Sequence, residues 1–161
     1  MNAGLRYLTL WPIFVAAAWP AVAQQASPTT GVRILRPAGA IKTEGTWSVG
    51  ARAGDFIFVA GIQGVDPATG KLVADPEGRV RQAFLNIRTI AQSERASLKD
   101  CVRLTIYVSD LKKVVPLVEK VQTELWGAGP YPPRTMFEAK RLFDDDIIEI
   151  DSIFYAPTKG R

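Results

Sequence analysis

The sequence predicts an α+β domain: six strands in one mixed, mostly antiparallel sheet, with two helices on one face. Three observations carry that expectation. Two stretches, one from Arg79 to Ser97 and one beginning near Val115, repeat apolar side chains at helical spacing. Between them, Cys101 to Val108 alternates with a period of two. Around these lie short apolar runs cut by glycine and proline turns, in the order β-β-β-α-β-α-β-β.

The chain opens on a different kind of segment. Residues 1–23 hold one charged side chain, Arg6, then an apolar run from Tyr7 to Trp19, then Ala21-Val22-Ala23. That is the layout of a secretory signal peptide cut after Ala23. The run is shorter than the roughly 20 residues of a spanning helix, and Pro12 and Pro20 interrupt it. The expected product is periplasmic or secreted, with no membrane attachment after cleavage. Residues 24–40 read as an N-terminal arm with one short strand around Val32 to Leu35. The folded domain is expected over residues 41–158, with no internal repeat and no second domain.

Within it, Trp47 to Ala60 reads as a hairpin turning at Gly54-Asp55. Phe56 to Ala60 is apolar on both faces, as in a central strand covered on both sides. Asp66-Pro67-Ala68-Thr69-Gly70 is a turn. The first helix is expected over Arg79 to Ser97, with Val80, Phe84, Ile87, Ile90 and Ala91 as its stripe. In the strand that follows, Val102, Leu104, Ile106 and Val108 share one face, and Cys101, Arg103, Thr105 and Tyr107 the other. A second helix starts near Val115, with Pro116 in its first turn. Its stripe is Leu117, Val118, Val121 and Leu125, and Gly127 ends it. Arg134 to Ala139 and Ile147 to Tyr155 supply the last strands, and the strand–helix–strand from Cys101 to Ala139 is a parallel crossover. Tyr107, Phe58 and Ile153 remain on the uncovered sheet face, which implies an oligomer.

Composition narrows the chemistry. The 161 residues include 20 Lys+Arg against 16 Asp+Glu, one cysteine and no histidine. Imidazole catalysis, Ser-His or Cys-His dyads, intrachain disulfides and Cys/His zinc sites are therefore excluded. The charge is too weak and too evenly spread to define a nucleic-acid surface. Cys101, at the head of the alternating segment, reads as a buried strand residue rather than a reactive thiol. The Asp144–Asp146 run reads as a solvated turn rather than a metal cluster. Two side chains stand out. Arg134 follows Tyr131-Pro132-Pro133, and its guanidinium is either a carboxylate fork or a surface ion pair. Glu149 sits among Ile147, Ile148 and Ile150, and is on a wet face, paired or functional.

Several motifs together resemble the YjgF family, also called the Rid (reactive intermediate deaminase) proteins. They are Gly54-Asp55-Phe56-Ile57-Phe58-Val59-Ala60-Gly61, the Asp66–Gly70 turn, Gln82-Ala83-Phe84-Leu85-Asn86-Ile87 and Val108-Ser109-Asp110-Leu111. Most specific is Tyr131-Pro132-Pro133-Arg134 followed downstream by Ile148-Glu149-Ile150-Asp151. The similarity runs from about Ile41 to Pro157. It implies a chorismate-mutase-like homotrimer with a pocket at each subunit junction, and hydrolysis of 2-imino or 2-enamino acids to 2-oxo acids and ammonia. By that resemblance Arg134 grips the substrate carboxylate, Glu149 positions the attacking water and Gly61 lies beside the substrate. An iminium carbon is already electrophilic, so orientation and a nearby carboxylate suffice, and no cofactor or metal is called for. The sequence departs from the family at Trp47 (tyrosine), Ala60 (serine), Met136 (often cysteine) and Val118 (asparagine). Trp47 and Met136 are then expected as apolar substrate-binding walls. A non-catalytic binder of small carboxylates is the alternative; a ribonuclease or translation inhibitor ranks last.

Overall fold

The computed structural model describes residues 31–158; the segment read as a signal peptide and the first residues of the expected arm lie outside them. β1 (Val32–Leu35), β2 (Gly50–Ala53) and β3 (Phe56–Gln63) run antiparallel. The hairpin turns where expected, with Gly54 at φ 56°, a conformation that suits a residue without Cβ. The Asp66–Gly70 turn closes a small hairpin of β4 (Val65–Asp66) and β5 (Lys71–Leu72). Asp66 tightens it by accepting from the Ala68 N–H (2.9 Å) and the Thr69 hydroxyl (3.1 Å). Two-residue strands are too short to show as alternation, so the sequence reading found the turn and not its strands.

Helix α1 spans Pro76–Ser93, earlier at both ends than the spacing indicated. Asp75 caps it by accepting from the Gly78 N–H (2.6 Å), and Pro76 fills the first helical position, where a missing N–H is harmless. Arg95, at φ 65°, ends the helical path and turns Ala96 into the core. The stripe Val80, Phe84, Ile87, Ile90 and Ala91 is fully buried, and the Phe84 ring meets Trp126 edge-on at 5.7 Å.

Strand β6 (Cys101–Val108) corrects the predicted face assignment. Its pairing with β8 (Ile148–Tyr155) shifts register between Cys101 and Arg103. The extra residue of such a bulge reverses the alternation. Cys101 therefore joins Leu104, Ile106 and Val108 in the core, and Val102 is left exposed. Helix α2 (Leu111–Trp126) begins four residues before Val115, capped by Asp110, whose carboxylate accepts from the Lys113 N–H (3.1 Å). Pro116 is thus the sixth helical residue, inside the helix rather than in its first turn. The Asp110 cap fixes the start, and the buried stripe of Val114, Val118, Val121 and Trp126 holds the helix through the proline.

β7 (Arg134–Glu138) pairs parallel with β6, the crossover being α2, and the sheet order is β1-β2-β3-β8-β6-β7. The helices cover the face carrying Ile57, Val59, Ile62, Leu104, Ile106, Ile148, Ile150 and Phe154. Among the described residues nothing covers the opposite face, where Ile34, Phe56, Phe58, Phe137 and Tyr155 are exposed. The expectation that Phe56 to Ala60 is covered on both sides is not met among the described residues: both helices lie on one side, and none of the described segments reaches the other.

Candidate active site

A break in the β3–β8 ladder builds the first half of the site. Val59 pairs with Ser152 and Ile62 with Ile150, so Ala60 and Gly61 bulge opposite Asp151. The Ala60 N–H donates to the Val49 carbonyl (3.0 Å), which anchors the loop carrying Trp47 beside the bulge. Trp47 itself is 44% exposed. Glu149 follows Ile148 and precedes Ile150, both wholly buried, so alternation turns its side chain to the bare face. There it lies in register with Gln63 on one side and Tyr107 on the other.

Gly61 and Glu149 fit together. A Cβ added to Gly61 would overlap Glu149 Oε1 and stand 2.8 Å from Cδ and 3.0 Å from Cγ. The carboxylate lies in space that only glycine leaves free. The site is also stiff from behind. Asn86 of α1 donates to the carbonyls of Gln63 (3.1 Å) and Val65 (2.8 Å), and Gln82 donates to Asn86 Oδ1 (2.8 Å). Burial, then the charges of Asp151 and Asp146, push the Glu149 carboxyl above its ordinary value. Burial raises Asp151 as well. Both directions follow from removing water around an anion. Beside them, Phe58, Ala60, Arg103, Thr105, Asp151 and Ile153 line a shallow depression of about 310 Å³.

Arg134 belongs to the other side of the sheet. It pairs in register with Leu104, which pairs with Ser152, and those two side chains are buried under the helices. Its guanidinium accordingly reaches α2: Nη1 donates to Gln122 Oε1 (2.6 Å) and Nη2 to the Glu119 carboxylate. Met136, two residues on, faces the same way and packs against the core. Within one chain the sheet stands between Arg134 and Glu149. Gly61 and Glu149 are brought together; Arg134 joins Gln122 and Glu119 of α2 on the opposite face, the face that Met136 also takes.

The sequence reading missed both partners of Arg134. The available signal was their three-residue spacing on α2, which places Glu119 and Gln122 on one helix face. It also missed Asp146. Asp144 and Asp145 are exposed, but Asp146 is buried and accepts from the Ile147 N–H (2.6 Å), the Gly64 N–H (3.4 Å) and Arg79 (3.4 Å). The predicted solvated turn is thus solvated only in part, because the third carboxylate is the plug that ties this loop to the end of β3. Val118 is fully buried in the core. Cys101 is buried as expected, and desolvation lifts its thiol to about 12.

Comparison with known proteins agrees with this architecture. The family model described as Endoribonuclease L-PSP matches residues 38–156. A RutC family protein of Pyrococcus horikoshii is 36% identical over 115 residues, covering 71% of this chain and 90% of that protein. The 2-iminobutanoate/2-iminopropanoate deaminase of Escherichia coli is 30% identical over 112 residues, covering 68% and 86%. Among solved structures, a protein of Rhodopseudomonas palustris described as a probable translation initiation inhibitor superposes with a TM-score of 0.77 at 48% identity, covering 79% of this chain and 99% of that one. Escherichia coli TdcF with bound serine superposes at 0.71 with 25% identity, covering 76% and 98%.

Proposed function

The chain belongs to the endoribonuclease L-PSP family, the YjgF/Rid proteins with the chorismate-mutase-like fold, and from that premise we propose that it is a hydrolytic deaminase of reactive 2-imino and 2-enamino acids. The deaminase name of the Escherichia coli relative supports the reaction class. The serine in TdcF supports a small carboxylate-bearing ligand. The observation that carries the reading is the Glu149 carboxylate seated over Gly61, half-buried and raised in pKa.

The chemistry follows from those groups. Arg134 forks onto the substrate carboxylate and fixes the C=N carbon in place. Glu149 accepts a hydrogen bond from water and takes its proton as the oxygen attacks that carbon. The proton then passes to the amine nitrogen of the tetrahedral adduct; as the C–N bond breaks and ammonia leaves, the adduct's hydroxyl gives its proton to Glu149 and the carbonyl of the 2-oxo acid forms. A carboxyl raised above its usual range is a better match for this proton transfer near neutral pH than an ordinary surface glutamate. Trp47 and Met136 supply apolar walls.

Because the sheet separates Arg134 from Glu149 in one chain, the working site spans a junction of a homotrimer. One protomer brings Arg134 and Met136, and its neighbour brings Gly61 and Glu149. The bare aromatic face is the surface such an assembly covers. Export by the leader segment places the enzyme in the periplasm or outside the cell. The test is ammonia release from imines generated in situ by an amino-acid oxidase. Arg134→Ala and Glu149→Gln homotrimers are each expected to lose it. Co-refolded mixtures of the two recover part of it, since some junctions then pair an intact arginine with an intact glutamate. Wild type and Arg134→Ala behaving alike removes the reading.

One observation favours a second reading, a non-catalytic binder of small carboxylates. Val118, which stands where the family resemblance places an asparagine, is a core residue and has no polar group to offer a ligand. Stabilisation by 2-oxo acids without turnover of any imine supports that reading instead.

A further inference from the structure

Arg134 is held by two groups of opposite character. Gln122 is buried at 4% exposure, and its amide oxygen accepts from Nη1 at 2.6 Å. The Glu119 side chain is 57% exposed, and its carboxylate accepts from Nη2. A neutral, buried partner orients a guanidinium without neutralising it. A carboxylate on a flexible, exposed stem does neutralise it, and with the same chemical group that a 2-oxo or 2-imino acid would present.

We propose that Glu119 is a built-in competitor for the ligand carboxylate on Arg134, and that Gln122 is the fixed positioning residue that keeps the guanidinium aimed while the two exchange. Resting on the assignment of Arg134 as the carboxylate anchor, this adds a residue that sets affinity. Displacement is cheap: exposed ion pairs contribute little net stability, and the freed Glu119 carboxylate swings into water. The buried Gln122 has no such alternative, because its oxygen loses a charged donor if Arg134 leaves. A ligand therefore exchanges one carboxylate for another at Nη2 and leaves the Nη1 bond untouched. The competition acts equally on bound substrate and transition state, so it appears in KM and not in kcat.

The experiment is calorimetric titration of 2-oxobutyrate into four full-length proteins: wild type, Glu119→Ala, Gln122→Met and Arg134→Ala. Thermal unfolding of each is measured alongside. Glu119→Ala is expected to bind about two- to five-fold more tightly than wild type, with an unchanged melting temperature. Gln122→Met is expected to bind more weakly, which a structural role common to both residues does not produce. In the imine assay, Glu119→Ala lowers KM with kcat unchanged. Unchanged or weaker binding by Glu119→Ala, with binding lost in Arg134→Ala, overturns the competitor proposal and leaves the anchor reading standing. Binding that survives Arg134→Ala, or no binding by wild type and Glu119→Ala alike, overturns both.

Discussion

Replacing Gly61 by alanine isolates the contact on which the deaminase reading depends. The backbone there is not in the left-handed region that penalises a side chain, so the substitution is conformationally permitted. What it meets is the Glu149 carboxylate: the added methyl overlaps Oε1 and stands 2.8 Å from Cδ. Ordinary contact begins near 3.4 Å, so Cδ must retreat by at least about 0.6 Å, and the overlapping oxygen by more. Glutamate has the torsional freedom to do so, and the fold survives. The water it holds moves with it. Misplacement of a reacting group by about 1 Å costs on the order of a hundredfold in rate, so Gly61→Ala should lose about two decades of kcat/KM. Its melting temperature should stay within a few degrees of wild type. Steady-state ammonia release with in situ imine, beside thermal unfolding, reads both quantities. Adding Gly61→Ala to Glu149→Gln should bring little further loss, since the two changes damage one group. An alanine variant that retains more than about a third of wild-type kcat/KM refutes the reasoning. So does a double variant whose losses simply multiply.

Three further outcomes follow from the same structure. Glu149 must be ionised to take a proton, so the acid limb of kcat/KM should lie above the ordinary glutamate value; Asp151→Asn removes a neighbouring charge that raises it and should move the limb to lower pH. The stability sign is opposite: raised carboxyls stabilise the fold fully below their unfolded pKa and lose that contribution as pH rises through the folded one. Asp151→Asn should therefore flatten the fall in melting temperature as pH rises above the ordinary carboxylate range, and a limb that does not move contradicts the coupling. Phe84→Ala empties a fully buried site against Trp126 and should cost about 3–5 kcal/mol in urea unfolding at fixed protein concentration; a loss under 1 kcal/mol speaks against the assigned core. Cys101, buried with its thiol pushed up to about 12, should resist alkylation at pH 8 until the protein is denatured.

Local order was legible in the chain because it depends on neighbours a few residues apart. The α1 stripe from Val80 to Ala91, the Gly54 turn, the core alternation of Leu104, Ile106 and Val108, and the Gly127 stop all rest on periodicity or backbone freedom. These readings hold in the structure. The motifs carrying Gly61, Arg134 and Glu149 were visible for the same reason, as was the excess of apolar surface on one sheet face. Pairing between distant segments decided the rest. The Cys101 bulge reversed the burial of Val102 because register against β8 outranks alternation within β6. The Asp110 cap moved the start of α2 ahead of its proline, and Asp146 turned inward to hold Gly64 and Arg79. Most of all, a linear string cannot show which face of a sheet a side chain takes relative to one on another strand. Strand order and register put Glu149 over Gly61 and Arg134 under α2, because side chains in one register row share a face and each step along a strand changes it.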